Sequence, residues 1–224
     1  MNGLKLVATA DTHFPFDEDM IPSGDIFLHA GDLMLGGHLG EWNSRLQSLA
    51  DLPHKQKIFV PGNHDKFVED YPDQALPALL EAGITVVGHP LTSPYITLEN
   101  GMTLRGLPYV INLRRWAFFR EEDWIEEHLK REGRYDIVVS HGPPNGLLDS
   151  ADRGGHIGCL AFRKYLVRTK PLIWICGHVH ESYGHTFYDE TNMYNVAMCD
   201  LAYEQVNKPQ VIELPWEFTR NAEI

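Results

Sequence analysis

Leu4-Lys5-Leu6-Val7-Ala8-Thr9-Ala10-Asp11-Thr12-His13 runs from a short apolar segment into a small residue and then an Asp-x-His pair. The same rhythm returns four times. Ile26–Leu28 leads to His29-Ala30-Gly31-Asp32, and Ile58–Val60 leads to Pro61-Gly62-Asn63-His64-Asp65. Ile137–Val139 leads to Ser140-His141-Gly142, and Leu172–Cys176 leads to Gly177-His178-Val179-His180. The runs are brief, rich in β-branched residues and apolar on both faces, which predicts buried strands. Helical spacing predicts helices within Glu41–Leu52, Lys66–Ala82, Glu121–Arg131 and Leu160–Val167, with Pro72 and Pro77 limiting the second. Asn100-Gly101 between Tyr95–Glu99 and Thr103–Leu107 predicts a hairpin. Beyond His180 only strands are predicted. The alternation gives a layered α/β fold with mixed strands.

The 224 residues carry a formal charge of -12 and are 43% hydrophobic, ordinary globular composition that excludes disorder and low complexity. Without a Pro-, Gly- or Ser-rich linker, one domain is expected over residues 1–220, with 221–224 a frayed tail. No apolar run approaches the roughly 18 residues of a membrane span, and the start lacks a signal peptide's order of segments. Three cysteines form no disulfide framework and suggest a reducing, cytoplasmic setting. An acidic chain has no long-range attraction for nucleic acid or an anionic membrane. A homo-oligomer stays open. The unusual count is 12 histidines.

Ligands of open α/β sheets collect at the carboxyl ends of strands, and five such ends here carry Asp11, His13, Asp32, Asn63, His141, His178 and His180. Singly, each pair or triplet reads as a turn or a cap. Jointly they supply two imidazoles and two carboxylates for one cation, with the remaining imidazoles and the amide for a second if Asp32 bridges. Mixed nitrogen and oxygen donors suit Mn²⁺, Fe or Zn²⁺ better than Ca²⁺ or Mg²⁺.

In their order, Asp-x-His, Gly-Asp, Gly-Asn-His-Asp, His-Gly and Gly-His-x-His, these motifs resemble those of the calcineurin-like metallophosphoesterases. Ser140-His141-Gly142-Pro143-Pro144, Gly158-Cys159, Asn195-Val196-Ala197 and Asn207-Lys208-Pro209 look like the small metallophosphoesterase-domain cyclic-nucleotide phosphodiesterases. The resemblance implies a four-layer α-β-β-α sandwich with two mixed sheets. It implies that Asp11, His13 and His180 hold a first metal, Asp32 bridges, and Asn63, His141 and His178 hold a second. It places His64 beside the scissile phosphate, as the group that stabilises the transferring phosphoryl or protonates the leaving oxygen. Relatives that replace a histidine of the last motif by glycine have weakened sites; this chain keeps both.

A hydroxide shared by two divalent cations would attack phosphorus in line with the leaving alkoxide, with no protein nucleophile required. With two carboxylates the inner site is near +1, suited to a singly charged diester. The expected activity is therefore hydrolysis of small phosphodiesters, cyclic nucleotides foremost, with phosphomonoesterase, protein phosphatase, nuclease and a metal-stabilised structural domain as the other readings. Asp65 either accepts a hydrogen bond from the second ring nitrogen of His64 or caps the following helix. Asn145, Asp149, Arg153 and His156, in a Gly-rich loop, are candidates for the substrate wall. Arg114 and Arg115 meet a phosphate or solvate the surface, and Phe14 and Phe16 stack on a base or pack under the first loop. His29 reads as a buried, hydrogen-bonded histidine, and the tryptophans and methionines as core.

Overall fold

Every apolar run quoted above is a strand. The computed structural model describes residues 3–15, 18–152 and 154–218; Phe16, Arg153 and the expected tail 221–224 lie outside them. In chain order the elements are β1 (Leu4–Thr9), β2 (Ile26–His29), α1 (Leu39–Asp51), β3 (Gln56–Phe59), α2 (Lys66–Asp70), α3 (Pro72–Glu81), β4 (Ile84–Val86), β5 (Tyr95–Thr97) and β6 (Thr103–Leu107). There follow α4 (Glu122–Leu129), β7 (Ile137–Ser140), α5 (Leu160–Thr169), β8 (Ile173–Cys176), β9 (Gly184–Tyr188), β10 (Thr191–Asn195) and β11 (Gln210–Leu214).

One sheet has the order β11-β1-β2-β3-β4 and the other β5-β6-β7-β8-β10-β9. The central strands of both are parallel, while β11, β5 and β9 pair antiparallel to their neighbours, so both sheets are mixed. Strand side chains alternate between faces, and the alternation sorts the core into three layers. Leu6, Ala8, Leu28 and Ile58 meet Leu104, Val139 and Ile175 between the sheets. Val7, Phe27 and Phe59 point outward under Trp42, Leu49, Phe67 and Leu79 of the first helices. Val138 and Trp174 point outward under Ile125, Phe162 and Leu166 of α4 and α5. The result is the expected α-β-β-α sandwich.

Lys66–Ala82 holds two helices where one was expected. Pro72 starts α3 at its first turn, where a missing N–H costs nothing, and Tyr71 caps the end of α2, whereas Pro77 lies inside α3 and does not limit it. The short β4, directly after Gly83, carries too little periodicity to be foreseen. The sheets converge just beyond β1. There Ala10 N–H donates to Val196 O and Met198 N–H to Ala10 O, both at 2.9 Å. That seam draws the carboxyl ends of β1, β2, β3, β7 and β8 to one edge.

Candidate metal centre

Four of the residues expected to hold metal have left-handed backbones: Asp11 (φ 51°), His13 (55°), Asp32 (59°) and His178 (68°). Non-glycine residues are uncommon there, each at a cost of order 1–3 kcal/mol. The turns leaving β1, β2 and β8 bear that cost together, and it aims the side chains across the seam. Glycines make the approach close enough. A Cβ on Gly31 would collide with His141 Nδ1, one on Gly62 with Asp32 Oδ1, and one on Gly177 with Asp11 Oδ2.

The side chains form two triads. Nitrogens of His13 and His180 and a carboxylate oxygen of Asp11 lie within 4.8 Å of one another, as do donors from Asp32, His141 and His178. In the first, His13 Nε2 is 3.4 Å from His180 Nε2, which is 3.4 Å from Asp11 Oδ1. In the second, His141 Nε2 is 3.3 Å from Asp32 Oδ2 and 3.0 Å from Asn63 Oδ1. A third grouping, His13, Asp32 and His64, overlaps both, with His64 Nε2 3.9 Å from Asp32 Oδ2.

The donor set fits divalent cations. His13 Nδ1 faces Met34 O at 3.0 Å, His141 Nδ1 faces Ala30 O at 2.9 Å and His180 Nδ1 faces Asp200 O at 2.8 Å. A carbonyl only accepts, so each Nδ1 carries the proton and each Nε2 is turned toward the other donors of its triad, the arrangement of metal-binding histidines. Asp11 Oδ2 accepts the His178 N–H at 2.8 Å, while its buried Oδ1 makes no well-formed hydrogen bond and faces His180 Nε2 at 3.4 Å. Such an oxygen is costly to bury without a cation or proton to face.

Charge tells the same story. Burial opposes protonation of His141, yet the Asp32 carboxylate beside it lifts it to about 9. Burial likewise opposes His180, and its contact with Asp11 raises it to about 9. Burial keeps His178 low, at about 4, and lowers His13. Without cations, two protons stand between carboxylates and imidazoles.

Asp65 stands at the N-cap position of α2, but its side chain is used elsewhere. Its Oδ2 accepts from Asp32 N (2.9 Å) and Gly62 N (2.7 Å), and its Oδ1 from Leu33 N (3.0 Å) and Met34 N (3.1 Å). It ties the loop after β2 to the loop after β3 and makes no side-chain cap on α2. His64 is turned by a different group: its Nδ1 lies 2.5 Å from Leu35 O. Burial, with Asp32 nearby, pushes the Asp65 carboxyl up to about 7 against the pull of those N–H groups.

Of the candidate substrate wall, Asn145, Asp149 and His156 are among the described residues. Buried Asp149 accepts from Gly146 N, Gly158 N and His156 Nδ1, the last at 2.6 Å, and Asn145 donates to Gly158 O. These contacts fold the loop on itself, and neither Asn145 nor His156 lines the cleft. Arg114 pairs with Glu121 at 2.8 Å on the surface. Phe14 sits beneath Arg45, 5.9 Å from its guanidinium. His29 is buried and hydrogen-bonded to Thr12, as expected. The cleft, about 220 Å³, is walled instead by Leu113, Trp116, Leu201 and Tyr203 around Asp32, Asn63, His64, His178 and His180. Residue type puts Trp116 in the core, but 44% of it is exposed; Tyr203 follows no motif that could mark it.

A family model described as calcineurin-like phosphoesterase matches residues 4–182. Metallophosphoesterase domain-containing protein 1 of Homo sapiens is 30% identical over 232 residues, spanning 94% of this chain and 71% of its own. UPF0046 protein C25E10.12 of Caenorhabditis elegans is 28% identical, spanning 96% and 82%. Among solved structures, TT1561 of Thermus thermophilus aligns with a TM-score of 0.62 over 94% of this chain and 99% of that one, a shared fold at 14% identity.

Proposed function

The chain belongs to the calcineurin-like phosphoesterase family, and from that premise we propose that it is a two-metal phosphodiesterase of small diesters, cyclic nucleotides foremost. The observation that carries the reading is the pair of triads, Asp11-His13-His180 and Asp32-His141-His178, in one cleft with Asn63 beside the second. Divalent cations bound there supply an acidified water and a positive field for phosphoryl oxygens. Mn²⁺ is the metal we would supply first, on the mixed donor set.

The protein's own groups do the rest. Met34, Ala30 and Asp200 carbonyls hold three imidazoles in the binding tautomer. Asp65 fixes the Asp32 loop by its backbone, so the central carboxylate does not swing with the load it carries. His64, with Nδ1 committed to Leu35 O, presents Nε2 to the cleft. As an imidazolium it donates to a phosphoryl oxygen or to the leaving alkoxide; as a neutral ring it only accepts. A cleft of about 220 Å³ suits a small ester, and the charge of -12 disfavours a long polyanion. We take residues 1–220 to act as one catalytic domain.

The test is a panel of 2′,3′- and 3′,5′-cyclic nucleotides, a chromogenic diester and its monoester, at fixed Mn²⁺. Diester turnover abolished by chelation and restored by Mn²⁺ is the expected result. A wide preference for the monoester would overturn the substrate class.

A further inference from the structure

Two aromatic side chains line the cleft beside the two triads and are partly open to water. Trp116 is 44% exposed and Tyr203 37% exposed. The Trp116 ring lies 4.4 Å from the His64 ring, centroid to centroid. Tyr203 lies 4.8 Å from the His13 ring and 5.8 Å from that of His180, edge-on to both. Large aromatics left open to water beside a polar site are the ordinary mark of a ligand surface.

Both rings are held in place by construction. Tyr203 has a left-handed backbone (φ 62°), and Asp200 secures its loop: Oδ1 accepts from Ala202 N at 2.8 Å and Glu204 N at 3.0 Å. The carbonyl of the same Asp200 takes the Nδ1 proton of His180, so the ring and the metal-site imidazole share one support. On the other side, Asn112 (φ 62°) and Phe118 (φ 54°) bracket Trp116. Glu69 accepts from Phe118 N at 3.0 Å and meets Arg120 at 3.4 Å, anchoring that loop to α2. Rings fixed before binding lose little entropy on stacking.

The rest of the lining decides what they stack on. Among the described residues the cleft contains no Lys or Arg, so a second phosphate would find no partner beyond the metal site. An aliphatic cation would have the aromatic faces but, outside Asp32, no carboxylate in the cleft to meet it. An uncharged, flat group suits this wall best.

We propose that Trp116 and Tyr203 form a stacking subsite for a planar aromatic group, a nucleobase or an aryl ring, carried by the phosphoester in the cleft. The proposal rests on the phosphoesterase reading of the site and extends it to the organic part of the substrate. Base stacking on an aromatic side chain is commonly worth about ten-fold in affinity or more.

The experiment measures binding rather than turnover; should the ester panel show monoester hydrolysis, the non-hydrolysable phosphonate analogues of the three probes take their place, so that stacking is read either way. Mn²⁺-loaded protein is titrated calorimetrically with AMP, phenyl phosphate and ribose 5-phosphate. AMP should bind about ten-fold more tightly than ribose 5-phosphate. Trp116→Leu and Tyr203→Leu should each shrink that ratio and together erase it, with the affinity for ribose 5-phosphate unchanged. Trp116→Phe and Tyr203→Phe, which keep a ring, should restore most of it. Metal content and melting temperature are measured on every variant, so that loss of the centre is not mistaken for loss of stacking. AMP binding above phenyl phosphate identifies the group as a nucleobase; equal binding identifies a general aryl subsite. Equal affinity of the wild type for AMP and ribose 5-phosphate, or a preference that survives the double leucine variant, would overturn the proposal.

Discussion

His64 stands where the open cleft meets the Asp32 carboxylate. Its Nδ1 is committed to the Leu35 carbonyl, and its Nε2 is within reach of Asp32 and His13 as well as of the open cleft. If its work is on the substrate, His64→Ala should lower kcat by about 10²- to 10⁴-fold with two metal ions per chain retained by elemental analysis. Loss of one metal equivalent along with activity would make it a ligand instead, the role the third overlapping triad permits. In the sequence, His64 is singled out by the family resemblance that Gly-Asn-His-Asp helps to carry. Its neighbour is not legible in the same way. Asp65 acts through N–H groups of residues 32 to 34, about thirty positions upstream, and no local pattern reports such a contact. Trp116 escapes a sequence reading for a related reason: an apolar side chain turned outward at a site cannot be told by type from one turned inward.

Between elements, the loops after the strands do the positioning, and they are held by very few groups. Asp65 alone receives four N–H donors from the loops after β2 and β3. Asparagine at that position offers one accepting oxygen and turns an NH₂ toward two of the donors. Asp65→Asn should therefore destabilise the metal-free protein by about 2–5 kcal/mol in urea unfolding, with weaker binding at the Asp32 triad. Gly177 makes the corresponding contact after β8. A methyl group there would overlap Asp11 Oδ2 and lie 2.5 Å from Ala10 Cβ. Gly177→Ala should displace Asp11 and lose the first metal preferentially, which metal stoichiometry in Mn²⁺ titrations would show. Strands and their order along the chain are readable because buried parallel strands are continuous apolar runs. The break between α2 and α3 is half readable: Pro72 and Pro77 both signal a limit, but only the packing of Tyr71 on Phe67, with ring centroids 5.3 Å apart, shows which proline starts a helix.

For the molecule as a whole, stability, metal and pH are one equilibrium. His141 and His180 are held at about 9 because carboxylates of Asp32 and Asp11 outweigh the cost of burying a charge. In an unfolded chain a histidine titrates near 6.5. A group whose pKa is raised by folding stabilises the fold fully below its unfolded value, and that contribution fades as pH climbs through the folded one. The metal-free protein should thus lose stability from about pH 6.5 upward to about pH 9. Cations compete with those same protons, since a ligating nitrogen must be unprotonated. Metal uptake at neutral pH should therefore release about two protons per chain, measurable as the dependence of binding heat on the buffer's ionisation enthalpy. The two trends run in opposite directions across one window. The rise in melting temperature on adding saturating Mn²⁺ should accordingly widen steadily from pH 6 to pH 8.5. A metal-induced rise that stays constant over that range, or shrinks, would mean that protons and cations do not share the seam between the sheets, and the pairing of His141 with Asp32 and His180 with Asp11 would then be structural only.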